Sequence, residues 1–157
     1  MPLGITHSII SAAASSSDQT TRHIANLVVF RLYLCLRYCE YTNCTGYLNK
    51  VQIQLLLNFL FFVEDTILPP DASIKKFHHT NQIVITLYNQ KNATQWENVS
   101  HFLSESPSAC PVQAGVNIFF LLQEQGCNPS TPVNEYSTPQ GLHSVSDLSI
   151  ITVVRAE

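Results

Sequence analysis

Arg37, Glu40 and Lys91 carry the guanidinium, carboxylate and ammonium groups in this chain whose type and spacing could do chemistry. Arg37 and Glu40 stand three apart at the end of an expected helix. There they can form an ion pair, by itself worth roughly 0.2–0.5 kcal/mol. Lys91 sits in a polar stretch, Gln90-Lys91-Asn92, that reads as a hairpin tip, where a lysine is ordinarily solvated. His78-His79 lies away from the cysteines Cys35, Cys39, Cys44, Cys110 and Cys127, and no Cys-x-x-Cys pair occurs, so the pair reads as a surface loop and not as a zinc site. Trp96 reads as a packing or sheet-edge residue, with base stacking as the alternative.

These groups need elements to position them. Ile5–Ala14 reads as a short helix, broken by Ser15-Ser16-Ser17, and Asp18 is of the type that caps a helix start. From about Gln19 to Arg37 apolar residues cover the helix nearly all round: Ile24, Leu27, Val28, Leu34 and Cys35 on one face, Val29, Leu32, Tyr33 and Leu36 on another. Such a helix is buried, and Arg37 falls at its end. After a turn at Asn43–Gly46 the period changes to two. Val51–Leu57 reads as a strand, Phe59–Val63 as a second, and Gln82–Asn89 as the clearest, with Ile83, Ile85 and Leu87 alternating with Val84, Thr86 and Tyr88. Glu97–Phe102 returns as its partner across the tip that holds Lys91. Pro69–Ser73 is a loop, and Pro111 opens a helix reaching about Gln125, stopped by Gly126. A proline-bearing loop comes next, with a small hairpin around Thr138–Gly141 and a last helix from Leu148 to Glu157, capped at Ser146-Asp147.

The bulk numbers constrain the partners. With 157 residues, 45% of them apolar, the chain can bury one core. Charged residues make up 12%, about half the usual ~25%. The net charge is −3 with eight Lys and Arg, which excludes the broadly basic surface of a free-standing nucleic-acid binder. Any contact with DNA would rest on a few well-placed cations. No apolar run approaches the ~20 residues needed to span a bilayer, and the start lacks a signal-peptide pattern. The expected place is intracellular, and nuclear if the chain acts on DNA. The low charge also favours self-association.

The segment Leu34-Cys35-Leu36-Arg37-Tyr38-Cys39-Glu40-Tyr41-Thr42 resembles the Leu-Arg-x-x-Glu-Tyr/Leu segment of tyrosine recombinases, or phage integrases. Thr86–Asn92 resembles that family's strand ending in a Lys-bearing tip, Cys110-Pro111-Val112 its Cys-Pro-Val lead-in to the next helix, and Cys127–Pro132 the proline-bearing segment after it. The motifs are colinear over most of the chain and are most similar to integrase-like modules in mobile elements of single-celled eukaryotes. Tyr38-Cys39 departs from the Pro-Gly common in such relatives.

The resemblance implies a reaction in which a tyrosine attacks a DNA phosphodiester and charge grows on the non-bridging oxygens. It gives Arg37 the role of holding that phosphate through its planar fork, a contribution of roughly 3–4 kcal/mol to such a barrier. It makes Lys91 the general acid for the leaving 5′ oxygen and Glu40 the carboxylate that steadies Arg37. No His-x-x-Arg occurs in these residues, and every tyrosine precedes the place of the family's nucleophile. The expectation is therefore one incomplete domain over residues 1–157, of α+β class, mainly helical with a three- to four-stranded antiparallel sheet, in a truncated tyrosine-recombinase catalytic fold. Arg37 and Lys91 would be vestigial, no cofactor is called for, DNA would be bound weakly, and cleavage would be absent. A non-enzymatic interaction protein or a gene fragment is the alternative.

Overall fold

A computed structural model describes residues 10–13, 15–34, 56–87, 97–106, 109–138, 141–146, 149–150 and 152 of the chain. Residues 10–13 are helical and place Ile10 and Ala13 in the core. Helix α1, Gln19–Leu34, starts where Asp18 caps it. The Asp18 carboxylate accepts the Thr21 backbone N–H at 2.8 Å and the Thr21 hydroxyl at 2.6 Å, the hydrogen bond that a first-turn N–H otherwise lacks. Arg22 ties the helix to the turn before it by donating to the carbonyls of Ser16 and Ser17, at 2.7 and 3.0 Å. His23 through Leu27, then Val29 and Phe30, are buried, as an all-round apolar helix requires. The last turn differs from expectation: Leu32 is 46% and Tyr33 41% exposed.

A four-stranded sheet comes next. Its strands are β1, Phe59–Val63; β2, Thr66–Ile67; β3, Gln82–Leu87; and β4, Glu97–Phe102, in the order β2-β1-β3-β4 with every pairing antiparallel. Strand β3 lies between β1 and β4, with Phe59 opposite Ile85 and Leu87 opposite Glu97. Its pattern is the expected one: Ile83, Ile85 and Leu87 are buried, and Gln82, Val84 and Thr86 are half-buried. Tyr33 stands beside β4, the edge strand, its ring edge-on to that of His101. This places the end of α1 at the margin of the sheet and accounts for its exposure.

Three local features depart from the sequence reading. Leu56 and Leu57, expected at the end of a strand from Val51, form a 3-10 turn with Asn58, a residue whose type marks a turn. The Leu57 N–H donates to the Pro129 carbonyl at 2.8 Å, so a loop and not a neighbouring strand takes this backbone. Residues 51–55 of that expected strand lie outside the described residues. Glu64 and Asp65 make an unexpected two-residue hairpin between β1 and β2, with φ of 46° and 65°; positive φ at both centres is the turn that suits strand twist. Ile74–Phe77 forms a one-turn helix, α2, with His78 as its C-cap. Four residues are too few for a periodicity to reveal.

Helix α3, Pro111–Glu124, begins on Pro111 and is succeeded by Gly126 at φ 70°, both as expected. It packs on α1 and the sheet. Phe77 of α2 stacks on Phe119 of α3 with centroids 4.7 Å apart and meets Phe61 and Phe120 edge-on at 5.4 Å, a geometry that suits aromatic quadrupoles. The expected small hairpin is present as β5, Glu135–Thr138, and β6, Gly141–Ser144, paired from Thr138↔Gly141 to Glu135↔Ser144. Ser146 caps a final helical turn: its hydroxyl accepts from the Ser149 N–H at 3.1 Å, and residues 149–150 and 152 are helical. The class is α+β, helices packed with a small antiparallel sheet.

Candidate functional site

Arg37, Glu40 and Lys91 lie outside the described residues, as do Trp96, Cys35, Cys39 and Cys44. The elements flanking the three charged residues are described. Helix α1 runs to Leu34, shortly before Arg37. Strands β3 and β4 end on the pair Leu87↔Glu97, and residues 88–96, including Lys91, join them. Next to this tip the Thr86 hydroxyl donates to Asn98 Oδ1 across the ladder at 2.9 Å.

Tyr33 meets the ladder elsewhere. Its ring centroid is 6.1 Å from that of His101, and His101 pairs with Ile83, next to the end of the ladder marked by Gln82↔Phe102. Along β4, from His101 to Glu97, is about 13 Å at ~3.3 Å per residue. Arg37 follows Tyr33 and Lys91 follows Leu87 along the chain, in segments outside the described residues.

Two lysines and two histidines gather at α2. Lys75, Lys76, His78 and His79 are all exposed around Phe77, which is 1% exposed. Sequence reasoning placed His78-His79 on the surface, where it is, but missed the turn of helix that groups the histidines with two lysines. The one local signal was Ser73, a cap-type residue, and its side chain makes no cap hydrogen bond. His78 also leans against Phe120, with centroids 6.0 Å apart.

Between α1 and α3 lies a polar groove of about 340 Å³ lined by Gln19, Arg22, Asn26, Asn117 and Glu124, with Phe120 and Leu121. Its amides satisfy one another: Asn117 donates to Asn26 Oδ1 at 3.3 Å, Asn26 to the Arg22 carbonyl at 2.9 Å, and Gln113 to Asn117 Oδ1 at 3.1 Å. A second groove, about 230 Å³ and apolar, is floored by Phe59, Phe61, Phe77 and Phe119 and rimmed by Leu57, Leu60 and Ile67.

Three buried polar side chains stand out. His23 and Asn134 are each 0% exposed and Thr80 is 3% exposed. Among the described residues, neither ring nitrogen of His23, neither amide atom of Asn134, nor the Thr80 hydroxyl reaches a hydrogen-bond partner. Burial drives the His23 pKa down to about 4. The Val133 backbone opposes this slightly, though it falls short of hydrogen-bond geometry. Burial also lowers the pKa of His101 and raises that of Glu135.

Among the described residues no group of three or more His, Cys, Asp or Glu could hold a metal ion, and no helix is long and apolar enough to cross a membrane. Cys110 and Cys127 are free thiols. In comparisons with known proteins, no family model, no curated protein and no solved structure matches the chain.

Proposed function

We propose that the chain is a DNA breaking-and-rejoining domain of the tyrosine recombinase kind, of mobile-element origin, that binds DNA weakly and does not cut it unaided. Arg37 would contact a backbone phosphate, Glu40 would steady it, and Lys91 would approach from the β3–β4 connection. The observation that supports this reading most is the order of the elements around the motifs. A mostly buried helix leads to the Arg37 segment, an antiparallel meander carries Lys91 between β3 and β4, and Cys110-Pro111-Val112 opens the next helix. Without a His-x-x-Arg in the chain, the remaining Arg and Lys give no measurable cleavage, because such groups act as a unit.

The test is titration of the chain with a labelled DNA duplex at several salt concentrations. The reading expects affinity to fall steeply as salt rises, and to fall further in Arg37→Ala, since each phosphate contact releases counterions. Absence of DNA binding at low salt would overturn it. The second reading, an interaction protein without enzymatic activity, is favoured by the exposed apolar rim of Leu57, Leu60 and Ile67, which are 48%, 39% and 52% exposed. A discrete oligomer that ignores DNA would select it.

A further inference from the structure

We propose that α2 and its cap form a second, separate contact with the DNA backbone, in which Lys75 and Lys76 pair with phosphates and His78 and His79 flank them as hydrogen-bonding side chains. This rests on the reading that the chain binds DNA and adds the residues of α2 to the contacts expected of Arg37 and Lys91.

Three observations carry it. First, four nitrogen-bearing side chains crowd into five residues of a chain with eight Lys and Arg in all and a net charge of −3. Lys75 and Lys76 are exposed, and neither ammonium is engaged with another described residue. The carboxylates nearest along the chain, Asp71 before the helix and Glu64 and Asp65 in the β1–β2 turn, are exposed as well, and among the described residues neither lysine has an ion-pair partner. Cations without partners are the ones that gain most from a phosphate, because no intramolecular pair has to be broken first.

Second, the patch is held rigidly. Phe77, between the lysines and the histidines, is 1% exposed and sits among Phe61, Phe119 and Phe120. The backbone around it is closed by His78 N–H to the Ile74 carbonyl at 3.1 Å, His79 N–H to Lys76 at 3.0 Å and Thr80 N–H to Phe77 at 3.0 Å. A fixed display lowers the ordering cost of binding.

Third, the chemistry selects the partner. A compact, hydrated ammonium recognises phosphate as a point charge without reading base edges. Two adjacent lysines, with no Phe, Tyr or Trp side chain exposed among them, suit the regularly spaced phosphates of a duplex better than unstacked bases.

The experiment is fluorescence anisotropy of a labelled duplex of arbitrary sequence, about two helical turns long, with salt varied, for the full chain and for K75Q/K76Q and K75R/K76R. Both substituted positions are exposed, and matching thermal melts check that the fold is intact. The plot of log affinity against log salt should lose about two units of slope in K75Q/K76Q, about one per lysine, and recover in K75R/K76R. Binding by K75Q/K76Q with the wild-type slope overturns the α2 contact and leaves the DNA reading standing. A wild-type chain that does not bind the duplex at low salt overturns both. Loss of affinity that K75R/K76R does not restore also overturns the proposal, since it assigns the loss to something other than charge.

Discussion

Gly115 of α3 approaches Ile83 of β3 so closely that a Cβ on the glycine would run into Ile83 Cδ1 and come within 3.0 Å of Phe30 Cζ. The helix, the central strand and α1 meet at this point, and Ile83 is 0% exposed. Helix propensity alone favours alanine over glycine by about 1 kcal/mol. Overpacking a buried site costs about 1–3 kcal/mol, and here it wins, because Ile83 is fully buried and moving its Cδ1 displaces packed neighbours. Gly115→Ala should lower the urea midpoint, and adding Ile83→Val should return part of the loss. An alanine variant more stable than wild type would show that α3 sits further from the sheet.

The β1–β2 hairpin holds the opposite lesson. Glu64 and Asp65 occupy left-handed backbone without being glycine, a conformation that strains most side chains. Asn-Gly is the pair this turn type prefers. E64N/D65G should raise stability by about 1 kcal/mol, seen as a higher melting temperature, while Glu64→Val should lower it.

These two sites show what the sequence could and could not disclose. Strands β1 and β3 were legible because each carries a continuous or period-two apolar run between turn residues, β4 only as the return partner of β3 across the connection that holds Lys91, and α3 because Pro111 and Gly126 bracket it. Asp18 was legible as a cap by type alone. Gly115 was silent, since a glycine inside a helix gives no hint of what approaches it. The Glu64-Asp65 turn was silent because its residues are not the usual ones, and α2 because one turn has no period. The roles expected of Arg37, Glu40 and Lys91 rest on the resemblance alone. Their geometry depends on segments outside the described residues. The α2 patch needed the fold, because only the burial of Phe77 shows that Lys75, Lys76, His78 and His79 are displayed together.

Asp18 supports the start of α1 through two hydrogen bonds to Thr21. Its pKa is lowered chiefly by the Thr21 hydroxyl, then by the Thr21 backbone N–H. A carboxyl with a depressed folded pKa adds stability above its unfolded pKa, and that stability is lost as pH falls through the folded value. Asp18→Ala should cost about 1 kcal/mol at pH 7, and Thr21→Val less, since the backbone N–H bond remains. Urea titrations at pH 7 and pH 3 check this: the gap between wild type and Asp18→Asn should narrow at the lower pH.

His23 gives the strongest dependence on acid. Its folded pKa is about 4 and its ordinary value is 6.5, so between these limits the unfolded chain takes a proton that the folded chain refuses. The contribution is complete above 6.5, declines as pH falls from there, and is lost by about pH 4. At 1.36 kcal/mol per unit the total is about 3 kcal/mol. His101, whose pKa burial also lowers, acts with the same sign, so the comparison must be with a variant at position 23. His23→Leu keeps the site apolar and removes two nitrogens that have no partner, and unpartnered buried groups cost about 1–3 kcal/mol each. Denaturation midpoints from pH 4 to pH 8 should therefore fall less steeply below 6.5 in His23→Leu than in wild type. They should also lie above the wild-type values at pH 5. Parallel curves would put the imidazole in contact with water, and α1 could not then be the buried helix at the centre of the fold.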